Sequence, residues 1–297
     1  MALTPITGTN WQTAVEGQAR LSLVENAVFF SVIPSEPAGI LGPNAKGTTL
    51  TINRPTLPTV TDVVEGTVGN SQDPGEDTGT ITINHYRRAQ ISIGLGQAAQ
   101  SNYDLQTIWG ETLALAWLND FEETAAALYA ALTAGTFNAT GTSQAVAFPA
   151  DTATAKRNLI TAKMPVGEMR RTHVVLSAGG EEDLNASSVI RYDSLGTPGS
   201  VEAGEQKRMG GFSTWISQNI VSAGSPAEDQ IMYFHDRAMA KMLSIDPHFV
   251  AVVSGGAGNS GTYADLVQAD ILQYVGLYGV DVVEPTLGGV IQRLTAT

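Results

Sequence analysis

Gly256, Gly258 and Gly261 satisfy G-x-G-x-x-G within FVAVVSGGAGNSGTYADLVQADILQYV, between an apparent strand and an apparent helix over Tyr263 to Tyr274. In a dinucleotide-binding fold such glycines let the backbone approach a pyrophosphate at a helix N-terminus, and Asp281 stands at the spacing of a ribose contact. The surroundings argue against that chemistry. Only 297 − 261 = 36 residues follow Gly261, and the upstream chain lacks a regular alternation of strands and helices. A glycine-rich surface loop is the expected reading, a dinucleotide-dependent oxidoreductase is the rival, and no cofactor is expected.

Other chemistry finds even less support. His85, His173, His235 and His248 show neither i, i+4 pairing nor HExxH spacing, so no metal centre is expected. His235-Asp236-Arg237 has catalytic residue types, yet IMYFHDRAMAKML reads as a strand running into an amphipathic helix over Asp236 to Leu243. Glu181, Glu182 and Asp183 open an apparent helix, where negative charge is favourable without any catalytic role. The chain has no nucleophile elbow, no phosphate-binding P-loop and no cysteine. A non-enzymatic protein is expected, held by packing or association.

Charge narrows the partners. Against 29 acidic residues stand 16 Lys and Arg, a formal charge of −13. Phosphate affinity comes mainly from Lys and Arg, so a general nucleic-acid binder is not expected, although an acidic wall can enclose DNA without gripping it. Apolar residues make up 43% of the chain and charged ones 15%, which fits a folded core. No run approaches the 18 or so apolar residues of a membrane span, and MALTPITGTN carries neither the basic start nor the apolar stretch of a signal peptide. A protein that starts out soluble in a cytoplasm is expected.

The elements around these residues are unusual in their order. Residues 1–47 read as an arm, with an amphipathic stretch over Ala19 to Ile33 and loop punctuation at Pro34, Pro37, Gly39, Gly42 and Pro43. Residues 48–96 then form a ribbon. Leu50 and Ile52 alternate with Thr49, Thr51 and Asn53, and Arg54-Pro55 ends the first strand. In the returning stretch, Ile81, Ile83, His85, Arg87, Ala89, Ile91, Ile93 and Leu95 share one parity. A continuous strand would put them on one face and span about 50 Å. Between the strands, residues 56–79 carry Asp62, Glu65, Asp73, Glu76 and Asp77 and no Lys or Arg, while Arg54, Arg87 and Arg88 mark the base. An isolated two-stranded ribbon cannot bury enough surface to be stable alone. The polarity suits a loop reaching across a neighbouring copy, with pairing inside its own hairpin as the alternative.

A long helix over about 102–132 follows, capped by Ser101 or Asn102 and stopped by Gly135. Leu113, Trp117, Phe121, Thr124, Leu128 and Ala131 recur at spacings of three and four, whereas Asn119, Asp120, Glu122 and Glu123 fall mostly elsewhere. Beyond a Thr/Ala/Gly-rich linker, the spacing predicts helices over 151–164 and 180–189. Predicted strands cover 173–177, 214–220, 231–234, 248–254, 280–283 and 289–294.

This order of elements resembles the major capsid (coat) protein family of tailed double-stranded DNA bacteriophages, the Hong Kong phage-type capsid fold. TLTINRPTLPTVTDVVEG leading to TITINHYRRAQISIGLGQAAQSNYDL is similar to the family's E-loop strands and the start of its spine helix. GFSTWISQNIV followed by IMYFHDRAMAKML looks like its axial-domain elements, and LQYVGLYGVDVVEPTLGGVIQRL looks like its closing strands. The resemblance covers essentially the whole chain and implies an α+β fold. It divides the chain into an N-terminal arm (1–47), an extended β-hairpin E-loop (48–96), a peripheral domain with the spine helix (97–171, completed by 284–297) and a mixed α/β axial domain (172–283).

The resemblance further implies a subunit that assembles with itself into hexamers and pentamers of an icosahedral head. Such a head encloses double-stranded DNA without reading its sequence. It implies portal, scaffolding and decoration or cement proteins as partners, and a virion component assembled in the host bacterial cytoplasm. A long N-terminal helical extension is absent, which points to a separate scaffolding protein. Residues 48–96 contain no Lys, so an isopeptide crosslink from the E-loop is not expected. Arg54, Arg87 and Arg88 are expected to meet Asp62, Glu65, Asp73, Glu76 or Asp77 of an adjacent subunit. An encapsulin-like shell, with the same fold around a protein cargo, is the nearer alternative.

Overall fold

The computed structural model describes residues 27–35, 49–55, 60, 75–94, 105–148, 150–186, 208–209, 211–252 and 269–294. The arm's described part forms a single turn, α1 (Phe29–Val32), whose Phe29 and Val32 are buried with Ala27 and Ile33. It lies on helix α2 (Leu105–Ala126), which runs on as a 3-10 turn over Ala127–Ala131. At 1.5 Å per residue the 22 residues of α2 span about 33 Å. Its core face is Leu113, Ala114, Trp117, Leu118, Phe121 and Ala125, a stripe of i, i+3 and i+4 neighbours.

Among the described residues two larger sheets and a separate two-stranded pair accompany this helix. Strands β1 (Thr49–Pro55) and β2 (Glu76–Thr82) pair only with each other, in antiparallel register from Thr49 opposite Thr82 to Pro55 opposite Glu76. Strand β3 (His85–Gly94) begins two residues later in a different sheet. The continuous return strand expected from the sequence is therefore broken at Ile83-Asn84, and β2 starts at Glu76, inside what reads as loop. Its parity survives the break. Ile81 and Ile83 are buried and His85, Ala89 and Ile91 half-buried, with Arg87 the exposed exception, whereas Asn84, Tyr86, Arg88 and Gln90 are exposed.

Strand β4 (Thr136–Asn138) and helix α3 (Ala150–Thr161) come next, then β5 (Thr172–Leu176), α4 (Ala178–Ala186), β6 (Arg208–Met209), β7 (Phe212–Ile216), β8 (Ser222–Ala223) and β9 (Glu228–His235). Two long strands, β10 (Met239–Val252) and β11 (Ala269–Val282), and the closing β12 (Gly288–Leu294) complete the fold. Among the described residues one sheet has the order β10-β11-β3 and lies on α2; the larger has the order β4-β12-β9-β5-β7-β6, with β8 on β9. The larger sheet is mixed: β12 runs parallel to β4 and β5 parallel to β7, while the other pairs are antiparallel.

Two predicted helices are strands. Asp236 to Leu243 is a turn followed by β10, in which Met239, Ala240, Lys241 and Met242 are all buried. Ala and Met favour helix on propensity, but pairing with β11 and burial on both faces decide otherwise. The stretch ending at Tyr274 lies in β11 from Ala269 onward. Tyr274 and Tyr278, four apart and fully buried, share a face in either geometry, because four residues suit a helical turn and an even strand spacing alike. Both tyrosines meet α2, with ring centroids 6.2 and 5.4 Å from Trp117 and Phe121 at 5.0 Å from Tyr278.

β12 hydrogen-bonds to β9 and β4 in the larger sheet, whereas β10 and β11 lie with β3 on α2. The buried Arg293 ties β12 to α4 through Asp183 at 2.6 Å, and Asp229 of β9, held by Ser177 and Ser222, stands 3.8 Å away. Its ladders with β9 and β4 make the last strand part of the larger sheet.

Candidate assembly interface

The root of the projecting hairpin is built from backbone proximity. Leu50, Ile81 and Ile83 form a small apolar cluster with Ala240, Met242 and Val283, separate from the main core. The Thr82 N–H donates to Asp281 Oδ2 at 2.7 Å. Gly279 lies against the Thr82 carbonyl and Ile83, and Gly79 against Val283, so closely that a Cβ at either position would collide. Asp281 thus anchors the hairpin backbone instead of reaching a ribose. Gly256, Gly258 and Gly261 lie outside the described residues.

Just past the root, His85 stacks on Tyr278 with centroids 5.0 Å apart. Burial holds its imidazole below the usual range, and the neighbouring Arg87 adds to that. Arg87 Nε lies 3.0 Å from Asp120 Oδ2 on α2, and the Tyr278 hydroxyl donates to the same oxygen at 3.0 Å. Burial, with Asp120 adding, pushes Tyr278 up to about 12. Arg87 is therefore paired inside its own chain, with the long helix.

The other predicted contact residues are spread along the hairpin. Arg54 stands opposite Asp77 in the β1/β2 register, Glu76 is exposed opposite Pro55, and Arg88 is exposed beyond the hairpin on β3. Asp62, Glu65 and Asp73 lie outside the described residues; Val60, in the same acidic stretch, is 94% exposed.

Two charged residues missed by the sequence reading fasten the arm. Glu122 is 2% exposed and accepts the Phe29 and Phe30 N–H groups at 3.0 and 2.9 Å. Lys241 is 6% exposed and donates from Nζ to the Phe30 carbonyl; its ammonium sits 4.2 Å above the Phe30 ring. Its own N–H donates to Pro34 O at 3.0 Å. A signal for Glu122 existed: Leu118, Glu122 and Ala125 follow i, i+4, i+7, so the carboxylate rides on the buried stripe. Lys241 carried none, because its strand read as helix.

Burial raises the Glu122 carboxyl against the pull of the arm's N–H groups and Lys241. Burial lowers the Lys241 ammonium from 10.5 to about 8 against the pull of Glu122. Between those two values the folded chain holds fewer protons on Lys241 than the unfolded chain, so this lysine's contribution to stability rises with pH there. Compared with a Lys241→Met chain, the unsubstituted chain is expected to gain stability between about pH 7.5 and about pH 10 in urea titrations. A difference between the two chains that stays constant with pH, or that moves in favour of Lys241→Met, would contradict this placement.

No family model and no curated protein matches the sequence. Solved structures do match the fold. A chain of Mycobacterium phage Che8 superposes with a TM-score of 0.66 at 20% identity, covering 98% of this chain and 96% of that one. The capsid of Ralstonia phage GP4 gives 0.64 at 13% identity, covering 92% of each chain. A virus-like particle from Pyrococcus furiosus gives 0.57 at 8% identity, covering 95% of this chain and all of the other. This chain shares the fold of these phage and particle chains over nearly its whole length.

Proposed function

We propose that this chain is the major capsid protein of a tailed phage, assembling with itself into the hexamers and pentamers of an icosahedral head around double-stranded DNA. The observation that carries the reading is a near-complete fold match to phage capsid chains, in a molecule whose β1/β2 hairpin pairs with no other strand among the described residues. In this reading the 48–96 hairpin is the E-loop and α2 the spine helix. The peripheral domain is α2 with β3, β10 and β11, and the axial domain is the larger sheet with its helices, β12 included.

Function follows from shared, repeated contacts. A hairpin too small to be stable alone gains order by lying on a neighbour, and many such contacts acting together make a tough shell without covalent bonds. With no Lys in residues 48–96, locking is noncovalent. Scaffolding and portal proteins, and a decoration or cement protein, are the partners that such assembly calls for. Net charge of −13 per copy keeps the wall from adhering to packaged DNA, and the role is structural, not enzymatic. The mature location is the virion, after assembly in the host cytoplasm.

An encapsulin-like shell is the second reading, favoured by the similarity to the Pyrococcus furiosus particle. Size-exclusion chromatography and negative-stain microscopy of the expressed chain test both. Closed shells or capsomer rings are expected, and a monomer at all concentrations would contradict both readings. Particles purified from infected cells should hold DNA; a protein cargo instead would select the second.

A further inference from the structure

The hairpin's acidic stretch needs a basic partner, and Arg87 and Arg88 lie past the root on β3, at the other end of the β1/β2 pair from that stretch. Arg87 is engaged by Asp120, and Arg54 has Asp77 opposite it in the strand register. Elsewhere the chain concentrates positive charge in one short segment. Residues 156–171 contain Lys156, Arg157, Lys163, Arg170 and Arg171, five of the 16 basic residues, against the single acid Glu168. Glu168 is itself taken by Arg237 at 2.9 Å. The segment is thus 5 − 1 = +4 in a chain of −13, and none of its five cations has an ion pair among the described residues.

Four of these five cations are exposed, and Lys156 is half-buried. Arg157 and Ile160 lie on the exposed face of α3, and Lys163 follows at the helix end. A short connection leads to the 3-10 turn Val166–Arg171, whose Arg170 and Arg171 are exposed. The Asp236 N–H donates to the Arg171 carbonyl at 3.0 Å, which places the exposed Arg237 beside them. Ile160, 42% exposed, gives the patch an apolar spot.

We propose that this basic surface, residues 156–171 with Arg237, is the seat for the hairpin tip, residues 56–75, of a second copy of the chain. The inference rests on the capsid reading and names the surface that receives the hairpin. The tip offers Asp62, Glu65 and Asp73 with no Lys or Arg, and exposed Val60 among further valines. A negative segment with valines therefore meets a positive surface with an exposed isoleucine, the complementarity that sets register between like copies. Phosphate backbones would satisfy the charge but not Val60 and Ile160, so protein is favoured over nucleic acid.

The chain has no cysteine, which makes disulfide trapping clean. Asp62→Cys, Glu65→Cys and Asp73→Cys are each combined with Arg157→Cys or Arg170→Cys, and assembled particles are oxidised. At least one pair is expected to give an intersubunit ladder on non-reducing gels, absent from unassembled subunits. In parallel, reversing Arg157, Arg170 and Arg171 to Glu is expected to abolish shells, and adding Asp62→Lys, Glu65→Lys and Asp73→Lys to restore them. Shells without any ladder, crosslinks only within one chain, or a swap that fails to restore assembly would overturn the inference while leaving the capsid reading intact. Reversed variants that form normal shells holding less DNA would also overturn it, assigning the patch to nucleic acid. Neither shells nor capsomer rings from the unsubstituted chain would contradict the capsid reading, and this inference with it.

Discussion

A chain carrying Glu122→Ala is expected to lose about 3–5 kcal/mol of stability and to release residues 27–35 from α2, because removing one member of a buried charged pair strands the other. The Phe29 and Phe30 N–H groups lose their acceptor, and Lys241 keeps only the Phe30 carbonyl and ring in a site closed to water. Phe30 packs edge-on to Phe121 at 5.1 Å and Trp117 at 6.3 Å, so freeing the arm also opens the aromatic layer beneath it. Glu122→Gln retains one acceptor oxygen and should cost less. Urea titration gives the magnitude, and amide exchange at Phe29 and Phe30 reports the release. Protected amides in the Ala variant would show that apolar packing alone holds the arm.

The second large effect belongs to Gly279→Ala. A methyl group there collides with the Thr82 carbonyl and the Ile83 backbone, neither of which can rotate away as a side-chain end would. Overpacking of this kind costs about 1–3 kcal/mol, which a folded subunit survives. Assembly should not survive it, since the collision redirects the hairpin where Asp281 and the small apolar cluster aim it, and every copy in a shell carries the same error. Normal circular dichroism with loss of particles in sedimentation is the expected result. Normal particles would mean that the hairpin's direction is set by its neighbour and not by its root.

Local patterns made much of the fold legible. Thr49 to Pro55, the parity of the return stretch, the long helix and the strand at 172–176 all follow from short-range alternation or spacing. Reading failed where local signals were degenerate. Met239 to Leu243 has helix-favouring residues yet is covered on both faces by partners distant in sequence, and Tyr274 and Tyr278 fit either period. The break at Ile83-Asn84 was invisible because parity continues through it. Of the candidate site, the charges of residues 54–88 were readable but their partners were not. The in-chain capture of Arg87 by Asp120 and the fastening of the arm by Glu122 and Lys241 could not be read, since each joins residues far apart in the chain.

The central claim is that the hairpin's order belongs to the assembly. Amide hydrogen exchange at residues 49–55 and 76–82, compared between free subunits and closed shells, tests it most directly. Rapid exchange in the subunit and strong protection in the shell are expected, with α2 and β9 protected in both. Equal protection of the hairpin in both states would contradict the claim.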